Sequence, residues 1–80
     1  MKKYIEISLG TYVINHGYDA NNKEIEQEVT VEGFSKKLIS VDRIKSLSEK
    51  YILTDYLDGR WIYWEYKEAY ETVKKKLLED

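Results

Sequence analysis

Residues that could carry acid–base or metal chemistry are few and scattered in this sequence. His16 is the single histidine and the chain has no cysteine, so a zinc site would need Asp and Glu for its remaining ligands. Segment 19–24 begins like a calcium-binding loop, but its fifth and sixth positions are Lys23 and Glu24 instead of an Asn or Asp and a glycine. We therefore expect no metal site and no cofactor, and we interpret His16 as a solvated loop residue.

The sequence also lacks the motifs that accompany catalysis. It has no glycine-rich phosphate loop, no nucleophilic serine elbow and no His-Glu-x-x-His helix. Glu26 and Glu28 stand two positions apart, which on a strand separates them by about 7 Å, a spacing that suits an inverting hydrolase. Such a pair needs a cleft that a small sheet does not offer, so we expect a protein that is not an enzyme.

The size and charge of the chain restrict the classes of protein to which it could belong. The chain has 80 residues, a hydrophobic fraction of 42% and a formal net charge of -2, which favours one folded domain over residues 1–80 and argues against disorder. Basic and acidic residues are spread evenly, so no basic half exists to bind a nucleic acid. No stretch approaches the roughly 20 apolar residues that cross a membrane, and we expect a cytoplasmic protein without a membrane partner.

Alternation of apolar and polar residues predicts two strands in the first 32 residues. Ile5, Ile7 and Leu9 share one side of the first strand, and Gly10 is placed for a β-bulge before the strand continues over 12–14. The Asn, Asp and Gly content of 15–23 predicts a loop. Alternation resumes over 24–32, so the two strands should form a hairpin.

Two helices are predicted in the rest of the chain. Ser40 is placed as an N-cap, and it is followed by Val41, Ile44, Leu47 and Tyr51 at helical spacing. A second helical stripe begins at Tyr66 and ends near the C-terminus. Its members are Tyr66, Ala69, Tyr70, Val73 and Leu77.

A second hairpin is predicted around Asp58-Gly59, which favours a two-residue type I′ turn between the β-rich runs 51–57 and 60–66. That register opposes Tyr56 to Trp61 and Thr54 to Tyr63. One face, expected to be the core, holds Leu53, Leu57, Ile62, Trp64 and Tyr66. The other holds Ile52, Thr54, Tyr56, Trp61, Tyr63 and Glu65. A competing interpretation begins the last helix at Ile62. We prefer the hairpin, and we predict an α+β domain of order ββαββα, with two helices on one face of an antiparallel sheet.

Two features of this predicted sheet favour binding to another protein. Thr54, Tyr56, Trp61 and Tyr63 would lie outside the core, and tyrosine and tryptophan are enriched at binding hot spots. An acidic row, consisting of Glu24, Glu26, Glu28 and Glu32, would either keep a sheet edge from pairing with another chain or meet a basic partner surface.

We therefore predict a non-catalytic protein-binding module whose partner has a basic surface. The lysine-rich, tyrosine-rich composition and the lack of catalytic motifs resemble the small inhibitors and accessory proteins of bacteriophages and mobile elements, which includes inhibitors that occlude a host defence protein or nuclease. One alternative is a nucleic-acid-binding protein that uses the sheet aromatics with Lys36, Lys37 and the lysines at 74–76. Another is a homodimeric accessory protein that buries the aromatic face against a second copy.

Overall fold

A computed structural model describes residues 4–79, which form a six-stranded antiparallel sheet followed by one α-helix. The helix, α1, covers Tyr70–Leu78, and 3-10 turns lie at Val41–Arg43 and Leu57–Gly59. The strands are β1 (Tyr4–Tyr18), β2 (Glu24–Val29), β3 (Ser35–Ser40), β4 (Ile44–Leu47), β5 (Tyr51–Asp55) and β6 (Trp61–Tyr66). Their order in the sheet is β2-β1-β6-β5-β4, and β3 also pairs with β1.

The predicted order ββαββα is wrong, because the expected helix after Ser40 is a 3-10 turn followed by β4. Ser40 ends β3, and its side chain makes no capping hydrogen bond. Ile44 opposes Thr54 and Leu47 opposes Ile52, with a register shift between them. This bulge allows residues three apart to face the same side of a strand, so the pattern imitated helical spacing.

Strand β3 was also missed, and it lies beside β2 along one edge of β1. Residues 4–9 of β1 pair with β3 and residues 12–18 pair with β2, both antiparallel. Segment 30–34 leads from one strand to the next. The predicted first hairpin is present, although β1 extends through the expected loop to Tyr18 and the second strand ends at Val29.

The predicted bulge at Gly10 is confirmed. Pairing of β1 with β6 shifts between Leu9 and Tyr12, so the core side changes from odd positions (Ile5, Ile7, Leu9) to even positions. Gly10 is buried, and a Cβ atom there would lie 2.9 Å from a ring carbon of Phe34. A larger residue would therefore push the Phe34 ring away from the bulge.

The hairpin between β5 and β6 forms, but its register differs by one residue from the prediction. The connection is the three-residue turn Leu57–Gly59, closed by a hydrogen bond from the Tyr56 N–H to the Arg60 carbonyl. Trp61 opposes Asp55, and Ile62 opposes Thr54. A shift of one residue exchanges the two faces of a strand, so β5 is inverted relative to the prediction whereas β6 is as predicted.

The hydrophobic core lies on the face of the sheet that α1 covers. It includes Ile52, not the predicted Leu53, and the helix contributes Val73. The buried members of this cluster are Ile5, Ile7, Leu9, Ile52, Tyr66 and Val73. We call the side of the sheet that faces this cluster the inner face, and the opposite side the outer face.

The C-terminal segment forms hydrogen bonds with backbone groups of β1 beyond the point where β6 ends. Tyr66 is the last residue of β6, so the helix begins at Tyr70 and not at Tyr66 as expected. The Glu68 carboxylate accepts a hydrogen bond from the Ser8 N–H at 3.1 Å, and the Lys76 ammonium donates to the Glu6 carbonyl at 2.9 Å. These contacts fix the helix against the sheet.

Tyr66 links β6 to the turn between β4 and β5, because its buried hydroxyl donates a hydrogen bond to the Ser48 carbonyl. Burial, with smaller effects from Tyr70 and Glu49, raises the pKa of Tyr66 above its ordinary value. We expect Tyr66→Phe to lower the free energy of unfolding by about 1 kcal/mol at neutral pH. Denaturant unfolding of both proteins measures this difference.

The same raised pKa predicts how the difference changes with pH. Above about pH 10 the tyrosine ionises in the unfolded chain before it ionises in the folded one, so the wild type loses stability there and Tyr66→Phe is spared that part of the loss. The stability advantage of the wild type should therefore narrow as the pH rises past this value. An advantage that stays constant across the alkaline range would contradict this assignment.

Candidate functional site

Two rows of side chains cross the outer face from β2 to β5. Residues directly opposed in antiparallel strands present their side chains on the same face. The first row runs through Glu26, Asn15, Trp61 and Asp55, and the second runs through Glu28, Val13, Tyr63 and Leu53. Each row therefore begins with a glutamate on β2 and reaches an aromatic ring on β6, two strand spacings or about 10 Å away.

Aromatic and apolar side chains form the middle of this surface. The indole of Trp61 is 40% exposed, and Tyr63 is half-buried. The Tyr63 ring packs edge-on against Tyr51 with centroids 5.9 Å apart. Because these rings project from neighbouring strands of one sheet, their positions are fixed by backbone pairing. They present a rigid surface whose ordering on binding costs little conformational entropy.

Shallow hollows lie on either side of Tyr63. One, of about 240 Å³, is lined by Val13, Glu26, Tyr51 and Tyr63. The other, of about 270 Å³, includes Glu24, Lys45, Leu53 and Trp61 among its lining residues. Each hollow combines an apolar wall with a carboxylate, and the second also has Lys45 in its lining. The first hollow has no basic residue in its lining and suits a long side chain that has an apolar stem and a positive end.

The acidic side of the surface is anchored through Asn15, which is 8% exposed. Its amide nitrogen donates to the Glu24 carboxylate at 2.6 Å, and its amide oxygen accepts from the Gly17 N–H at 2.7 Å. Glu26 and Glu28 are exposed. Across residues 4–79 neither of these two glutamates forms an ion pair, so their carboxylates face solvent.

The structure unites part of the predicted site and separates the rest. Trp61, Tyr63 and the glutamates at 24, 26 and 28 share the outer face. Thr54 is on the inner face, where it is 2% exposed and accepts a hydrogen bond from the Trp64 indole. Tyr56 pairs with Arg60 on that same face. Glu32 lies in segment 30–34, outside the strands.

Thr54 and Tyr56 were misplaced because of the register of the β5–β6 hairpin. A two-residue turn would have put Thr54 and Tyr56 beside Trp61 and Tyr63, whereas the three-residue turn puts Leu53 and Asp55 there. Sequence reasoning therefore missed Tyr51, Leu53 and Asp55 as members of the outer face. It also missed Val13 and Asn15, which reach that face from β1. Knowing that Ile52 is buried would have assigned Tyr51 and Leu53 to the outer face. Alternation within β5 alone does not show which of its two faces is buried.

The lysines of the nucleic-acid alternative do not form one patch. Lys36 opposes Ser8 on the outer side of β3, and Lys37 opposes Ile7 on the inner side. On α1, Lys75 lies 4.0 Å from Glu79, and Lys76 is bound to the Glu6 carbonyl.

Comparisons with known proteins supply no further assignment. No family model, curated protein sequence or solved structure matches this chain. Over the described range 4–79, no three His, Cys, Asp or Glu residues are grouped closely enough to hold a metal ion. The one helix in that range is too short to cross a membrane.

The two tryptophans provide a test of the face assignment. Trp64 packs against the core and against Tyr12, at 4.4 Å between ring centroids, whereas Trp61 projects outward. We expect Trp64→Ala to lower the free energy of unfolding by about 3 kcal/mol, and Trp61→Ala to lower it by less than about 1 kcal/mol. Denaturant titration measures both values, and equal losses would contradict the assignment.

Proposed function

We propose that this protein is a non-catalytic protein-binding module whose docking surface is the outer face of its sheet. The observation that supports this proposal most directly is the pair of cross-strand rows that carries Glu26 and Glu28 on the same face as Trp61 and Tyr63. Glu24 and Trp61 line one hollow of that face. A partner that covers this surface would bury the two rings at its centre and meet the carboxylates at its side.

The aromatic part of the surface would supply most of the binding energy. Interfaces depend on a few buried aromatic or arginine anchors surrounded by contacts that exclude water. Tyr63 lies between two hollows that would accept partner side chains. Trp61 lies beside one of them, and its exposed ring area is available to pack against the partner.

The acidic part of the surface would select the partner. Lysine and arginine can place a cation over the face of a tryptophan or tyrosine ring, and the glutamates of β2 stand within reach of the same side chains. Charge complementarity of this kind raises the rate of association and disfavours acidic partners. We therefore infer a partner with a basic surface.

A basic surface of this kind occurs in nucleic-acid-binding grooves, including those of nucleases. Glu26 and Glu28 are about 7 Å apart along β2 and project from a rigid strand. Occupation of such a groove by the outer face would exclude its nucleic acid. Inhibition of a host defence protein or nuclease by occlusion is the form of this proposal that the chemistry of the surface favours.

The proposal is tested by comparing two pairs of variants in capture from a lysate of the organism that encodes the protein. Glu26→Lys reverses a charge on the outer face, and Glu32→Lys makes the same change outside it. Trp61→Ala removes a ring from the face, and Leu78→Ala removes an apolar side chain that is 76% exposed on α1, away from the outer face. Quantitative mass spectrometry measures each retained protein, and calorimetry measures the affinity of the purified partner.

We expect a partner that binds the wild type, Glu32→Lys and Leu78→Ala equally, and that binds Glu26→Lys and Trp61→Ala at least about tenfold more weakly, because hot-spot losses reach 2 kcal/mol or more. Equal capture by all five proteins would refute the proposal. A doubled mass of the purified protein in light scattering, reduced to the monomer mass by Trp61→Ala, would instead assign the face to a homodimer.

A further inference from the structure

Charged side chains are distributed unequally between the two faces of the sheet. The strand carboxylates on the outer face belong to Glu6, Glu24, Glu26, Glu28, Asp55 and Glu65. Among the strand residues described between 4 and 79, the register places no carboxylate on the inner face. Lys37 on β3 lies on that face, and so does Arg60, which immediately precedes β6. The strands of a chain with an acidic net charge therefore place no carboxylate on this face, although the Asp58 carboxylate in the β5–β6 turn lies 3.9 Å from the Arg60 guanidinium.

An open groove continues the inner face beyond the core. Its volume is about 430 Å³, and Leu9 and Thr54 are among the residues that line it. The charged residues in its lining are Lys37 and Arg43, with no acidic residue. The Lys37 ammonium lies 5.4 Å from the centroid of the Trp64 ring, which also lines the groove. The groove thus offers a cation next to a half-buried aromatic ring.

A second cation–aromatic pair lies on the same face toward the β5–β6 turn. The Arg60 guanidinium is 4.8 Å from the centroid of the Tyr56 ring, and one of its nitrogens is 3.3 Å from His16 Nδ1. His16, which we expected in a solvated loop, is therefore a half-buried residue of β1 whose other ring nitrogen bonds to Gln27. Trp64 is four positions after Arg60 in the chain, which is about 13 Å along an extended strand.

We propose that the inner groove binds single-stranded nucleic acid, with Lys37 and Arg60 contacting phosphates and Trp64 and Tyr56 contacting bases. Aromatic rings beside cations on a sheet are the chemistry that such strands require, because every base has a face that can stack and every linkage has a charge. The lack of carboxylates in the groove lining favours an anion. A duplex fits less well, because its bases are already stacked on one another.

Arg43 has a supporting role in this proposal. Its guanidinium is bound to the Asp55 carboxylate at 3.0 Å and to the Asp55 carbonyl at 2.9 Å, so its charge is largely neutralised. The Arg60 guanidinium also has a carboxylate near it, since Asp58 lies 3.9 Å away, but that carboxylate is exposed. Lys37 is exposed and forms no ion pair within residues 4–79. Lys37 is therefore the residue on which binding should depend most.

Neighbouring lysines of β3 allow a matched test of this site. Lys37→Glu and Lys36→Glu change the net charge equally, but Lys37 faces the groove and Lys36 faces the opposite side. Fluorescence anisotropy at low salt measures binding of labelled oligo(dT), oligo(U) and a DNA duplex to the full chain. In a Trp61→Phe background the single remaining tryptophan is Trp64, and its emission reports whether the strand occupies the groove.

We expect Lys37→Glu to weaken binding of both single strands at least about tenfold and Lys36→Glu to weaken it less than about twofold. Affinity for the wild type should fall with added salt, and Lys37→Glu should reduce the slope of that dependence by about 0.7. Trp64 emission should change on binding, and the duplex should bind more weakly than either single strand.

Several outcomes would overturn the site. These are the absence of binding at low salt, equal losses in the two lysine variants, and displacement of the oligonucleotide by an equal charge concentration of poly-glutamate. Glu26→Lys and Trp61→Ala lie on the outer face and should leave oligonucleotide binding intact, so failure here is distinguishable from failure of the proposed protein-binding function.

Discussion

Backbone pairing along β1 is the constraint on which the rest of this structure depends. β1 pairs with β2 and β3 along one edge and with β6 along the other, so one strand positions half of the sheet. Its 15 residues can serve both a core and a surface only because the bulge after Leu9 exchanges the side that faces inward. Without that shift, Ile14 would turn away from the side that Ile5 and Ile7 occupy.

Register then determines the chemistry of each face. Because β5 and β6 are joined by a three-residue turn, Ile52 faces the core and Leu53 joins Tyr63 on the outside. The same register puts Asp55 beside Trp61 and leaves Tyr56 with Arg60. A slip of a single residue would place Leu53 toward the core and Thr54 on the surface. The turn thus defines the outer aromatic surface and the composition of the inner groove together.

The division of charge between the faces gives the small sheet two chemically different surfaces. On the outer side, glutamates of β2 share the face with the rings of β6, a combination that complements a basic protein surface. On the inner side, Lys37 and Arg60 adjoin Trp64 and Tyr56 without a strand carboxylate. Because strand alternation separates the two sets by the thickness of one sheet, each surface can be altered without changing the other.

Local pattern in the sequence was sufficient for several elements of the fold. It predicted the first hairpin, the bulge at Gly10, the second hairpin and the two faces of β6, because alternation and turn-forming residues act over a few neighbouring positions. It failed over 41–51, where a bulge in β4 reproduced the three-residue spacing of a helix. It also missed β3, whose Lys37 occupies an inward position that a strand pattern would assign to an apolar residue.

The sequence by itself determined which residues could form the candidate surface, since Trp61, Tyr63 and the glutamates of β2 are identifiable from alternation alone. Only the tertiary structure decided which of them lie together. The register of β5 on β6 differs by one residue from the prediction, and it depends on pairing between strands. This difference removes Thr54 and Tyr56 from the outer face and adds Tyr51 and Leu53 to it. The side chains within one strand alternate in the same way for either register, so the choice rests on which arrangement buries Ile52 against Ile7 and Tyr66.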